Sequence, residues 1–122
     1  MKVCLIVDDS KVIRKFTRNI IEELKMEPKE AVDGKDALDQ CQKLLPDIIL
    51  LDWNMPVMDG LTFLKEFKKK YSSSKTVIIF CTTENELPKI KIAMEAGADE
   101  YIMKPFDIDI IKSKFSQLGI IN

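Results

Sequence analysis

The polar residues of this chain that could do chemistry share one context. Asp8 and Asp9, Asp52, Thr82 and Lys104 stand at or just beyond the ends of short apolar runs, Val3–Val7, Ile48–Leu51, Thr76–Phe80 and Tyr101–Met103. A carboxylate can act as a nucleophile toward phosphorus. Neighbouring carboxylates can hold a hard divalent ion through oxygen. An ammonium and a hydroxyl can neutralise and hydrogen-bond phosphoryl oxygens. Asp52 is therefore read as a nucleophile that takes a phosphoryl group, with the other four residues around it.

Each residue alone has a plainer explanation. Asp8-Asp9 could cap a helix, Asp52 could belong to a turn, Thr82 could be an N-cap, and Lys104 could be a solvated lysine. Their joint placement is what those explanations leave over. A run that is apolar on both faces reads as a strand buried in a parallel sheet. Open α/β sheets gather their ligands outside the carboxyl ends of such strands. Residues far apart in sequence are thus expected in one crevice.

That crevice has to solve a charge problem. Carboxylates about 5 Å apart repel by roughly 3 kcal/mol per pair at an effective dielectric near 20. A raised pKa, a cation or both must relieve it. Lys104 supplies one positive charge, and Mg²⁺ bound by carboxylates, a carbonyl and waters would supply more.

The elements that must position these groups follow from periodicity. After the first strand, Val12, Ile13, Phe16, Ile20, Ile21 and Leu24 recur at helical spacing, behind a cap at Asp9 or Ser10. Pro28 is expected to mark a break, and Lys29 to Val32 a short second strand. Asp33-Gly34 is a turn signal, followed by a helix over Lys35 to Leu45 that Pro46 closes. The third strand ends at Asp52 and a loop runs from Trp53 to Gly60. Leu61, Leu64 and Phe67 predict a third helix, ended by Lys68-Lys69-Lys70 at the negative end of its dipole. A fourth strand, Thr76 to Phe80, precedes a helix over roughly Asn85 to Ala96, with Pro88 in its first turn and Gly97 past its end. The fifth strand, Tyr101 to Met103, leads through Lys104-Pro105 to a last helix opened by Asp107 and closed by Gly119. Five strand–helix units with short crossovers imply a parallel sheet with helices on both faces.

Composition narrows the function classes. The chain has 122 residues and a formal net charge of −1, the size of one domain with no room for an appended output domain. That balance gives no electrostatic reason to expect nucleic-acid or anionic-membrane binding. No apolar stretch reaches membrane-spanning length, and the N-terminus opens on a strand pattern rather than a leader, so a cytoplasmic location is expected. Cys4, Cys41 and Cys81 are widely spaced without a CxxC, which reads as buried free thiols. With no histidine, Ser-His and Cys-His nucleophile pairs and His-ligated metals are excluded. Any phosphohistidine involved must belong to another protein.

At Asp8-Asp9, Asp52, Thr82 and Lys104-Pro105 the chain resembles the receiver domain of two-component response regulators, and the resemblance runs over essentially all of residues 1–122. Asp52-Trp53-Asn54-Met55-Pro56 followed by Met58-Asp59-Gly60 is most similar to stand-alone chemotaxis receivers. The resemblance implies a flavodoxin-like (βα)5 three-layer sandwich with strand order 2-1-3-4-5. It implies Asp52 as phosphoacceptor and Asp8, Asp9, Asp52 and the Asn54 backbone carbonyl around Mg²⁺. It also implies Lys104 and Thr82 on phosphoryl oxygens, and a cis bond before Pro105. Tyr101 matches an aromatic position whose ring moves inward on activation, although an amphipathic tyrosine at a strand edge explains it equally well. Asn54 and Glu84 match positions that tune phosphoryl lifetime. Thr83 stands where a smaller residue is usual, so Thr83→Ala is expected to speed phosphorylation by small donors. The implied partners are a histidine kinase as donor and an effector protein on the face from Lys89 to Leu118, formed by the fourth helix, fifth strand and fifth helix. The implied state is a monomer or a weak, phosphorylation-dependent dimer. Such a protein is not a multiple-turnover enzyme and catalyses only its own phosphorylation and dephosphorylation.

Four other readings compete. A haloacid dehalogenase-type phosphatase would want Asp-x-Asp after the first strand and a cap insertion, and this chain has neither. A flavodoxin-like nucleotide carrier would need a phosphate loop where Asp8-Asp9 would repel the phosphate. A receiver cut from a larger regulator and a phosphorelay intermediate both keep the same site.

Overall fold

A computed structural model describes residues 1–83 and 86–121. The chain alternates β1 (Val3–Val7), α1 (Lys11–Glu23), β2 (Glu27–Ala31), α2 (Gly34–Lys43), β3 (Ile48–Asp52), α3 (Gly60–Lys70), β4 (Val77–Thr82), α4 (Leu87–Glu95), β5 (Glu100–Met103) and α5 (Ile108–Gln117). All pairings are parallel, in the order β2-β1-β3-β4-β5. This is the flavodoxin-like order that the resemblance implied.

The period-two alternation of each central strand splits the core into two layers. Cys4, Ile6, Ile48, Leu50, Ile79 and Cys81 face α1 and α5, whose Ile20, Ile21, Ile111 and Phe115 cover them. Leu5, Val7, Ile49, Leu51, Ile78 and Phe80 face α2, α3 and α4, with Cys41, Phe63, Leu64, Phe67 and Ala93 packed on them. Phe63, Phe67, Phe80 and Phe115 are fully buried, each contributing about 2–3 kcal/mol of apolar burial. Asp33, Asp59 and Asp107 cap α2, α3 and α5 through their side chains, as Ser10 caps α1. The three cysteines are buried free thiols, as expected.

Pro28 does not break the chain. It lies inside β2, opposite Cys4, and the strand runs Glu27–Ala31 rather than from Lys29 to Val32. β2 is an edge strand that pairs only with β1. The Glu27 N–H donates to the Lys2 carbonyl, so by alternation the imide nitrogen of Pro28 faces away from the ladder, where proline is tolerated. The helix expected to reach Leu45 stops at Lys43, and Leu44 and Leu45 are exposed. β4 continues through Thr82, two residues past Phe80. α4 is helical over Leu87–Glu95, and its expected start at Asn85 lies outside the described residues.

The apolar stripe expected along α1 is only half used. Val12 is 76 % exposed and Phe16 47 %, while Thr17, Ile20 and Ile21 are buried. Val12 and Phe16 instead line an open groove with Pro105 and Phe106. Buried Thr17 satisfies its hydroxyl by donating to the Ile13 carbonyl at 2.7 Å.

Candidate functional site

β3 lies between β1 and β4, with Val7 level with Leu51 and Asp52 level with Cys81. The chain therefore delivers Asp8, Asp52 and Thr82 to one edge of the sheet, and Lys104 follows β5 at the same edge. The crevice expected from strand ends exists. Carboxylate oxygens of Asp8, Asp9 and Asp52 can all lie within 4.8 Å of one another. Lys104 Nζ donates to Asp8 Oδ2 at 3.0 Å and to Asp52 Oδ1 at 3.1 Å. The Lys104–Pro105 bond is cis.

Local structure aims each group. Asp8 is buried; its Oδ1 accepts from the Ser10 N–H at 2.9 Å, and its carbonyl accepts from Arg14 Nη1 at 2.8 Å. Asp9 is exposed at the mouth, and Asp52 is intermediate. Gly60 packs so closely under the phosphoacceptor candidate that a Cβ there would strike the Asp52 carbonyl oxygen. Thr82 is buried, and its hydroxyl donates only a long 3.4 Å bond to the Thr83 carbonyl. Tyr101 is partly buried against the α2–α4 side of the core, with Lys114 Nζ 5.8 Å from its ring centre.

The electrostatics match a crowded anionic pocket. Burial raises the pKa of Asp52 above the usual carboxylate value; Lys104 pulls it down and Asp8 pushes it up again. Burial works against the Lys104 ammonium, but Asp52 and Asp8 outweigh it, so its pKa lies above the ordinary lysine value. The difference is one of partners: the ammonium has two anions, whereas Asp52 has one cation and an anionic neighbour. Burial also pushes the Cys81 thiol, beneath the pocket, up to about 12, so it is no nucleophile here.

The donor set fits Mg²⁺. An octahedral ion with oxygens at about 2.1 Å needs them about 3 to 4.2 Å apart. Three carboxylates within 4.8 Å meet that by a small closure or through water. Among the described residues, no other acidic or thiol group forms such a cluster.

One residue was not singled out from the sequence. The Glu86 carboxylate is nearly buried beside the pocket. Its Oε2 accepts from Asn54 Nδ2 at 2.7 Å and from Lys89 Nζ at 3.2 Å. Its Oε1 accepts from the Thr83 N–H and hydroxyl, both at 3.2 Å. Burial acts to raise its pKa, but Lys89 and Thr83 prevail and hold it below the usual value. The signal was present as Thr83-x-x-Glu86, the spacing of a capping box, and the Glu86 bond to the Thr83 N–H is half of one. Glu84, expected to act with Asn54, lies outside the described residues.

The structure is thus a parallel doubly wound α/β sheet with a carboxylate triad and a bridging lysine at its carboxyl edge. The response regulator receiver domain family model matches residues 4–116, and the chain belongs to that family of phosphorylation-activated signalling switches. It is 38 % identical to the chemotaxis protein CheY of Halobacterium salinarum over 105 residues, 86 % of each chain. It is 34 % identical to the phosphate regulon transcriptional regulatory protein PhoB of Escherichia coli, over 84 % of this chain and 44 % of PhoB. Among solved structures, the chemotaxis protein CheY4 of Vibrio cholerae superimposes with a TM-score of 0.88 at 32 % identity, covering 96 % of this chain and 98 % of that one.

Proposed function

We propose that Asp52 accepts a phosphoryl group from the phosphohistidine of a separate histidine kinase, with Asp8, Asp9, Asp52 and the Asn54 backbone carbonyl holding Mg²⁺. The observation that carries this reading is the Lys104 ammonium lying 3.0 Å from Asp8 and 3.1 Å from Asp52 at one sheet edge. An Asp52 carboxylate oxygen attacks phosphorus, the P–N bond breaks, and the imidazole leaves with the electron pair. Mg²⁺, when bound, would supply positive charge to offset that of the phosphoryl oxygens. Lys104 neutralises a second oxygen and keeps Asp52 ionised against burial. The Thr82 hydroxyl, held only by a long bond at rest, turns to a third. Tyr101, on the neighbouring strand, moves into the space that Thr82 vacates.

Each new charge-assisted hydrogen bond is worth about 1.5–3 kcal/mol, one to two orders of magnitude in a two-state balance. Thr82 and Tyr101 pass that shift to the α4-β5-α5 face, where an effector protein binds. The protein is a cytoplasmic monomer or weak phosphorylation-dependent dimer, with Asn54 and Glu84 setting phosphoryl lifetime. It turns over no substrate beyond its own acyl phosphate. Its similarity to CheY proteins supports a chemotaxis-type output, and no helix among the described residues is long and apolar enough to cross a membrane. The test is labelling from a small phosphoryl donor with Mg²⁺. Wild type takes up acid-stable, hydroxylamine-labile label and Asp52→Asn takes up none; label retained in Asp52→Asn overturns the assignment.

A further inference from the structure

Glu86 has no part in the scheme above. Four hydrogen bonds converge on one nearly buried carboxylate, three from two loops that flank the reacting groups and one from Lys89. Asn54 is two residues past Asp52, and Thr83 is next to Thr82. Lys89, from the first turns of α4, also lies 3.4 Å from Asn54 Oδ1 and 5.0 Å from the Trp53 ring centre.

A carboxylate only accepts hydrogen bonds, whereas an amide has a donating end and an accepting end. The 2.7 Å bond to Glu86 therefore decides which way the Asn54 amide is turned. Its NH₂ group must face Glu86, and its carbonyl oxygen is left for other donors. Lys89 competes for that oxygen, but at 3.4 Å the bond is long and weak.

We infer that Glu86 is a positioning residue for loss of the phosphoryl group: it fixes the amide of Asn54 so that the carbonyl oxygen is the end offered to an incoming water. The inference rests on Asp52 being the phosphoacceptor with Asn54 beside it. In hydrolysis the water oxygen bonds to phosphorus and the P–O bond to Asp52 breaks, its electron pair returning to the carboxylate. Both water hydrogens leave with inorganic phosphate. A neutral acceptor such as Asn54 Oδ1 takes no proton and only orients the water, the part a water-positioning amide plays in phosphoryl transfer.

Two substitutions in one network then act in opposite directions. Glu86→Ala frees the amide to turn and lengthens the acyl-phosphate half-life. Lys89→Met removes the competitor for Oδ1 and shortens it. Each change is roughly two- to tenfold, the worth of one hydrogen bond. A purely structural contribution of Glu86, holding two loops together, would send both variants the same way.

The experiment measures label loss from wild type, Glu86→Ala, Glu86→Gln, Lys89→Met and Asn54→Ala, and from Asn54→Ala/Glu86→Ala. All are first loaded from acetyl phosphate with Mg²⁺, and circular dichroism checks the fold of each. The expected result is slower loss for Glu86→Ala, faster loss for Lys89→Met, and no further effect of Glu86→Ala once Asn54 is alanine. Glu86→Gln keeps the shape of the side chain and gives an intermediate rate. Same-sign effects, or multiplied effects in the double variant, overturn the inference. Wild type that takes up no label, or Asp52→Asn that does, would instead refute the phosphoacceptor reading beneath it.

Discussion

Lys104 Nζ holds Asp8 and Asp52 together from just past the end of β5, a strand two places from that of Asp52 in the sheet, at 3.0 and 3.1 Å. It is the one basic group among the described residues that pairs with these acids. Replacing it by methionine keeps much of the stem and deletes the charge. Lys104→Met should lower stability by about 2 kcal/mol at neutral pH without divalent ions, less than for a fully buried pair because the site reaches solvent. Mg²⁺ should then stabilise the variant more than wild type, since binding to the native state adds to stability. Thermal melts with and without Mg²⁺ check both points.

Asp52→Asn should act with the opposite sign. Burial gives Asp52 a folded-state pKa above its unfolded value, so the native state binds the extra proton. Stability is then lost as pH rises from the unfolded value, about 3.9, through the folded one. The asparagine variant escapes that loss. In metal-free buffer it should be more stable than wild type at pH 7 and equal to it near pH 3. Urea titrations across that range measure the convergence.

Glu30 gives the reverse pH dependence and is linked to the pocket through Arg14, which also donates to the Asp8 carbonyl. It accepts from Arg14 at 2.9 Å and Arg18 at 2.7 Å, tying α1 to β2. Burial acts to raise its pKa, but the two guanidinium groups outweigh it and leave the pKa below the usual value. A depressed carboxylate contributes stability above its unfolded pKa, about 4.3, and loses it as pH falls through the folded one. Glu30→Gln should therefore be less stable at pH 7, with the difference closing below pH ~4.

Gly60→Ala tests whether the Asp52 strand end depends on close packing. The added methyl would strike the Asp52 carbonyl and crowd Phe80 at 3.1 Å. The Gly60 N–H also donates to the Trp53 carbonyl at 2.9 Å, so the loop cannot move aside freely. The expected cost is about 1–3 kcal/mol, with slower Asp52 labelling because the carboxylate is displaced. Unchanged stability with unchanged labelling would show that the loop gives way.

Val57 is 79 % exposed and has φ of 68° in the loop between β3 and α3. A β-branched residue is strained in that region, whereas asparagine enters it with little penalty. Val57→Asn should stabilise the fold by about 1 kcal/mol, because almost no packing is lost. Chemical denaturation against wild type decides it.

The sequence alone determined the alternation of five strands with five helices, because apolar runs, caps and Gly or Pro breaks are local signals. It determined which acids, hydroxyl and lysine end up at one edge, because parallel strands all deliver their carboxyl ends to the same side. It did not determine the exposure of Val12 and Phe16, since periodicity shows a stripe and not what covers it. Nor did it place Pro28 inside β2, because a proline's tolerance depends on whether the strand is an edge, which pairing decides. The strand order came from likeness to a family and not from the pattern. The Lys104 bridge and the Asn54 bond of the Glu86 hub belong to tertiary structure alone. Each joins groups on separate strands and loops, and side-chain distances across 32 to 96 residues of chain are set only when the sheet has closed.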